Sequence, residues 1–257
     1  MFSFLNNGGL LAYLVNSAPP TWFLNLQAEE AYRVVQTAEA IFVAVSLIFA
    51  YLLGSINSAI IVSKTFYGDD IRKHGSGNAG LTNVLRTYGK KAALFTLLGD
   101  ILKTVFAVCI PGFLLGFYYI GGVSTGNGYC YLAGLFAVLG HVFPLYYRFK
   151  GGKGVLTTAT MALVLSPLPF LFLLLIFILL VATTKYVSLG SVTAVSLYPV
   201  LMHGYFAVVL GGQMHGLTAL SLIIIAILIV WCHRGNLQRI SNRTERKLSF
   251  GSKKNNE

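Results

Sequence analysis

Apolar residues fall in six long runs, Ala38 to Ile61, Ala92 to Phe117, Tyr129 to Tyr147, Val155 to Thr183, Val187 to Leu210 and Leu217 to Cys232, with short polar segments between them. A helix rises about 1.5 Å per residue, so about 20 apolar residues cross a hydrocarbon core of about 30 Å. The pattern therefore predicts an all-α, polytopic integral membrane helix bundle. The Val155 to Thr183 run is interrupted by Ser166-Pro167-Leu168-Pro169. Proline has no N–H to give and crowds the preceding turn, so a helix is expected to end or kink there. Splitting the run at the prolines gives seven transmembrane helices.

The polar segments decide between the split and the unbroken reading. Of 19 Lys and Arg residues, 17 lie in the 64–91 loop, the 148–154 loop, at Lys185 and in the tail from Arg234; Arg33 and Lys103 are the other two. Seven crossings put all four segments on one side, as the positive-inside rule asks, with the N-terminus out and the C-terminus in. One unbroken helix would carry Lys185 and the tail to the other side. Residues 1–37, with Pro19-Pro20, Trp22 and Phe23, read as an N-terminal extension suited to the headgroup zone. Residues 38–248 read as one membrane-embedded domain and 249–257 as a polar C-terminal tail.

Composition narrows the function classes. With 56% hydrophobic and 11% charged residues in 257, and a mean hydropathy of +0.72, a soluble domain is excluded. The formal charge of +11 sits in loops between apolar runs, so it points to a membrane surface and not to nucleic acid. Cys109, Cys130 and Cys232 lie in or beside apolar runs without CxxC spacing, and read as inert buried thiols. The first basic residue is Arg33, so a cleaved signal peptide is not expected.

Candidate chemistry gathers in the polar segments. In the first, Gly75-Ser76-Gly77-Asn78-Ala79-Gly80 is followed by Leu81-Thr82-Asn83-Val84-Leu85-Arg86. The glycines let the backbone bend and offer N–H groups to an anion, and the second half reads as a helix start with Thr82, Asn83 and Arg86 on one face. The Gly75-x-Gly77-x-x-Gly80 spacing matches a dinucleotide fingerprint only formally, because a charged loop and not a strand precedes it. Leu81 stands where a P-loop needs lysine. The segment reads either as a phosphate cradle or as a structural glycine loop. The second loop offers Lys150, Gly151, Gly152 and Lys153, as a second anion site or as a positive-inside anchor. The third offers His233, Asn236 and Glu245, as site residues or as a solvated tail. Three such segments on one face fit substrates carrying more than one phosphate. His141 reads as a hydrogen-bonded structural residue or a catalyst, and Asp100 with Lys103, one turn apart inside a crossing, as an ion pair or a site component. Gly112 and Gly116 form a GxxxG packing motif. GxSxG and HExxH are absent, no cluster has metal-ligand spacing, and neither a metal nor a cofactor is expected.

Three blocks of these residues together resemble the bacterial membrane family of acyl-phosphate:glycerol-3-phosphate acyltransferases, the PlsY type. The first block runs from Gly54-Ser55-Ile56 through Asp70-Ile71-Arg72 and Gly75 to Arg86, then Gly89-Lys90-Lys91 and Asp100-x-Leu102-Lys103. The second is Gly140-His141-x-Phe143-Pro144 with Phe149 to Val155. The third is His233-Arg234-x-Asn236-x-x-Arg239 with Thr244-Glu245-x-Lys247. Asn57 departs from the usual proline, Ala79 and Leu81 from proline and alanine, Thr104 from glycine, Gly235 from glutamate, and Arg243 from the glycine before Thr244, which puts the turn carrying Glu245 in question. The resemblance implies transfer of a fatty acyl group from acyl phosphate to the 1-hydroxyl of glycerol 3-phosphate, giving lysophosphatidic acid, the first step of phospholipid biosynthesis, at the cytoplasmic face of the bacterial inner membrane. It implies Ser76, Arg86, Lys150, Lys153, His233 and Asn236 as catalytic residues. Gly75, Gly77, Asn78, Gly80, Thr82, Asn83, Gly151 and Gly152 would bind phosphate, and His141, Glu245, Asp100 and Lys103 would support them.

Overall fold

In a computed structural model, residues 27–115 and 128–248 are described, and all regular structure among them is helical. Nine helices follow in order: α1 (Ala28–Ser55), α2 (Ser58–Tyr67), α3 (Leu81–Leu115), α4 (Gly128–Val142), α5 (Val155–Leu165), α6 (Pro167–Thr184), α7 (Val187–Gly204, prolonged by a π-helical turn at Tyr205–Val209), α8 (Gly216–Cys232) and α9 (Arg234–Ser241). Most of the N-terminal extension, including Trp22 and Phe23, Gly116 of the GxxxG pair, and the 249–257 tail lie outside the described residues.

The side chains are sorted as a bilayer requires. Along α3, Leu94, Leu98, Leu102 and Phe106, each four residues apart, are exposed, while Thr96, Asp100, Lys103 and Thr104 are buried. One stripe meets lipid and the other turns inward, the reverse of a water-soluble amphipathic helix. Five helical spans are long and apolar enough to cross a membrane, and a sixth if α8 and α9, bent by 53°, count as one. The remaining expected crossing is α5, whose 11 residues rise about 16 Å, half a hydrocarbon core.

The break between α5 and α6 falls where the prolines place it. Ser166 joins the helices in a non-helical conformation, and Pro167 occupies the first turn of α6, where its missing N–H costs nothing. Two further breaks follow, the first inside a run that reads as continuous and the second at the end of the first polar loop. The first crossing stops at Ile56–Asn57 and restarts as α2, with the Asn57 side chain accepting from Ile60 N–H as an N-cap. Gly89, at φ 84° and ψ −170°, divides α3 into a short polar helix and the membrane-spanning part. The backbone there is open to glycine and strained for other residues.

Contacts between the polar segments bring them to one end of the bundle. Arg72 Nη1 donates to the carbonyls of Tyr147 (3.0 Å) and Lys150 (3.2 Å). Lys153 donates to Asn236, and the backbone N–H of Leu248 reaches the Lys185 carbonyl at 2.8 Å. Because the chain turns back at Ser166, Lys185 returns to the end it left at Gly154. Close packing of α1 on α4 holds this end: a Cβ on Gly54 would strike the Ala137 backbone, and one on Gly140 the backbone of Tyr51 and Ser55.

Candidate active site

A cavity of about 730 Å³ opens among these segments. Its mouth is polar. The 75–83 loop and Arg86 form one wall, Lys153, His233, Asn236, Arg239 and Glu245 the other, and Asp100 and His141 reach it from below. Beyond the mouth the lining turns apolar, with Val155, Leu156 and Ala159 of α5, Leu173 and Phe177 of α6, and Ala194 and Val195 of α7.

The first wall is organised by Asn83. Its Oδ1 accepts the Ser76 N–H at 3.0 Å, and its Nδ2 donates to the carbonyls of Ile71 (3.3 Å), His74 (2.9 Å) and Asn78 (3.0 Å). With both ends of the amide engaged, Asn83 shapes the loop and has little left to offer a ligand. Gly75 and Gly77 take positive φ, 59° and 72°, and a Cβ on Gly75 would collide with the Asn83 amide. The loop leads directly into the N-terminus of α3, so Gly80, Leu81 and Thr82 present that helix end to the cavity, with its partial positive charge. Ser76 and Arg86 stand exposed at the rim. Asp70 accepts from Arg72, which holds its carboxyl down at about 2 and fixes the guanidinium that clamps the second loop.

The second wall is a hydrogen-bonded net. Glu245 Oε1 accepts from Asn236 Nδ2 (2.6 Å) and Ser188 Oγ (2.7 Å), and its Oε2 accepts from Arg239 Nε (2.8 Å). Lys153 joins through Asn236 Oδ1. Burial of Lys153 pushes its amine below the ordinary lysine range, against the raising influence of Glu245. The buried ring of His233 places Nδ1 2.8 Å from the Ile229 carbonyl. A carbonyl can only accept, so Nδ1 carries the hydrogen and the neutral ring keeps its lone pair on Nε2.

The departure at Arg243 does not displace Glu245. Arg243 N–H bonds the Ile240 carbonyl and Thr244 N–H the Arg239 carbonyl at 2.8 Å, which is the Schellman closure of a helix. It places Arg243 at φ 58°, the position glycine favours. Arg243→Gly is expected to raise the unfolding temperature in detergent: a left-handed conformation costs a side-chain-bearing residue about 1–2 kcal/mol, partly offset by the freer unfolded glycine. An unchanged or lowered midpoint would show that the turn is unstrained.

Other sequence-selected residues serve the scaffold. The Gly151 and Gly152 N–H groups bond the Val142 and His141 carbonyls, both at 3.1 Å, and a Cβ on either glycine would overlap His141. They pack the loop on α4 and their amides are spent. The Lys150 side chain is exposed and outside the cavity lining, as is Gly77. Lys103 is buried beneath the site, its ammonium ion-paired with Asp100 Oδ1 (2.8 Å) and donating to the Ile56 carbonyl (2.7 Å) and His141 Nδ1 (2.9 Å). Ser188 and Arg239 belong to the second wall although the sequence-based site omitted them. Arg239 lies three residues from Asn236 on one helical face, a signal that was present; nothing distinguishes Ser188 from the other helical serines. Among the described residues, no group of His, Cys, Asp and Glu could hold a metal ion.

The sequence model of the family described as Glycerol-3-phosphate acyltransferase matches residues 44–243. A glycerol-3-phosphate acyltransferase of Clostridioides difficile is 44% identical over 207 residues, 80% of this chain and 95% of the relative. Another, of Bacillus subtilis, is 39% identical over 209 residues, 81% of this chain and 98% of the relative. Among solved structures, PlsY, an integral membrane glycerol 3-phosphate acyltransferase in its glycerol 3-phosphate form, superposes with a TM-score of 0.67 at 33% identity, covering 80% of this chain and 96% of PlsY. The cation-lined mouth, the apolar recess behind it and these likenesses agree: the chain belongs to the glycerol-3-phosphate acyltransferase family.

Proposed function

We propose that the protein transfers a fatty acyl group from an acyl phosphate to the 1-hydroxyl of glycerol 3-phosphate, releasing lysophosphatidic acid and phosphate, by direct attack in a ternary complex. The observation that carries this reading is that a single cavity joins a cation-lined mouth to an apolar recess. Phosphate groups suit the first part and a fatty chain the second. An acyl phosphate arrives already activated, so the protein has to position two anions and neutralise them, and orientation alone can contribute about 7–11 kcal/mol.

In this mechanism the helix end at Leu81–Thr82, Ser76 and Arg86 hold the donor phosphate. Lys153, with Arg239, neutralises the acceptor phosphate, while His233 and Asn236 orient the glycerol. The hydroxyl oxygen bonds the acyl carbon, the bond from that carbon to the phosphate oxygen breaks, and phosphate leaves with the electron pair. The proton passes to His233 Nε2 or to a substrate phosphate oxygen. Lys150 has no part in it, since its side chain lies outside the cavity. Residues 38–248 form the catalytic domain of seven crossings, α5 counted among them. The N-terminus is outside and the site faces the cytoplasm at the bacterial cytoplasmic membrane. The clustering of 15 of the 17 described basic residues in segments that converge on one end supports this orientation.

Reconstituted protein given acyl phosphate and glycerol 3-phosphate should form lysophosphatidic acid and phosphate in equal amounts. Turnover with acyl thioesters but not acyl phosphate would overturn the donor, a trapped acyl-enzyme would overturn direct attack, and solute uptake without product would point to a transporter. The half-buried Lys153 amine adds a pH signature. Its ammonium form is lost as pH rises through a value below the ordinary 10.5, so kcat/KM should fall on the alkaline side earlier than an exposed lysine would allow. Kcat should fall later, because bound phosphate favours the charged form. Lys153→Arg should shift that limb upward, since guanidinium does not titrate there; an unmoved limb would assign it to another group.

A further inference from the structure

The recess behind the mouth has an end. Helices α5 and α6 are joined at Ser166 and part from it, and the cavity lies between them, with Ala159 and Ala162 on one side, Phe170 and Leu173 on the other and α7 behind. At the closed end Tyr198 of α7 lines the cavity and is 1% exposed. Its hydroxyl is 2.7 Å from Ser166 Oγ, and Ser166 in turn donates to the Ala162 carbonyl at 3.2 Å. Fully buried Tyr131, Leu165 and Met202 share the core cluster of Tyr198 and do not line the cavity, with Tyr131 Oη donating to the Leu165 carbonyl at 3.3 Å. A buried hydroxyl pair set into an apolar lining fixes the ring of Tyr198 in place, since breaking it would leave two polar groups unpaired.

From Ser188 at the mouth to Tyr198 along α7 is ten residues, about 15 Å of helix. That is half of a hydrocarbon core of about 30 Å, the reach of one lipid chain in one leaflet. Resting on the acyl-phosphate reading above, we propose that Tyr198, pinned by Ser166, is the floor of the acyl recess and sets the longest fatty chain the enzyme accepts. Chains shorter than the recess gain affinity with each added carbon. Chains that reach the ring gain nothing further and must buckle or withdraw their phosphate from the mouth. Tyr198 touches the chain far from the reacting atoms and is a specificity residue.

The test uses full-length protein in lipid nanodiscs and two series. Unreactive alkyl monophosphates from C8 to C20 report binding, and acyl phosphates of the same lengths report kcat/KM. In the wild type, affinity should rise by up to about fourfold per methylene, the transfer value of one CH₂, then stop at a defined length and decline. Ala194→Leu, one helical turn toward the mouth from Tyr198, should move that break to shorter chains, and Tyr198→Ala to longer ones. Tyr198→Phe keeps the ring without its pin and should blunt the break while leaving its position. A break that moves in the alkyl series while acyl phosphates are not turned over keeps the floor and overturns the donor assignment. Turnover of acyl phosphates with the same break in the wild type and in folded Ala194→Leu overturns the floor. Affinity that climbs through C20 without a break also overturns it, since the tail would then be leaving sideways past Leu174, which lines the cavity and is exposed.

Discussion

Arg86→Ala is expected to lower kcat/KM for acyl transfer by about 10²–10³-fold, the usual loss when one preorganised donor to a developing anion is removed, with the helical signal and unfolding temperature unchanged. Structural neutrality is expected because Arg86 is exposed and lines the mouth without a hydrogen bond or ion pair among the described residues. It stands one turn into α3, where its charge adds to the positive end of the helix at Leu81–Thr82. In the proposed mechanism the phosphate leaving the acyl carbon gains charge at that end, so the donor is worth more in the transition state than in the ground state. Arg86→Lys should restore only part of the rate, because an ammonium cannot grip two phosphate oxygens as a planar guanidinium does. Lys150→Ala is the control: another exposed cation of the same face, outside the cavity, whose loss should change kcat/KM by less than about twofold, as surface charges usually do. Equal losses at Arg86 and Lys150 would mean that the face attracts substrate by net charge alone and that no cradle exists.

Most of what places this site follows from solubility. Lipid tolerates no unpaired backbone, so apolar runs become helices, and the loops between them carry the cations. Pro167 and Pro169 announce the turn that returns Lys185 to the basic end. Short-range signals were weaker. The stop at Ile56–Asn57 lies within an apolar run, and Asn57 reads as a helix cap only once Ala79, whose carbonyl accepts from its Nδ2 at 3.2 Å, is folded beside it. The glycines at 75, 77, 151 and 152 look equivalent in sequence. The first pair bends the loop that borders the cavity mouth around the Asn83 amide, while the second lets His141 approach a backbone, a distinction set by tertiary neighbours and not by the glycines themselves. Glu245 shows the reverse case. Its missing glycine argued against the turn, yet the two carbonyl bonds of the helix end outweigh the strain at Arg243.

Lys103→Met is expected to be the most destabilising single change in the site region, costing about 3–5 kcal/mol, the loss seen when one partner of a buried ion pair is removed. Asp100 and Lys103 are 1% and 5% exposed, and the ammonium fills three roles. It neutralises Asp100, occupies His141 Nδ1, and satisfies the Ile56 carbonyl that the helix break frees. A carbonyl left bare inside a membrane has no water to turn to, and the end of α1 carries the negative pole of its helix. Methionine replaces the volume and none of the three bonds. Asp100→Asn alone should cost less, since the lysine keeps two acceptors, and Asp100→Asn/Lys103→Met should be more stable than Lys103→Met, because the uncompensated carboxylate is gone. Measured as unfolding midpoints in detergent, with monodispersity as the readout where a variant is too unstable to melt, this order separates an ion pair from mere packing. If the double variant melted at the sum of the two single losses, the pair would be uncoupled and the lysine would act through the Ile56 carbonyl alone. The same lysine joins the α1 break, α3 and α4 beneath both walls of the cavity, so the depth at which Asp100 and His141 line the cavity is set by a charge that itself does not line it.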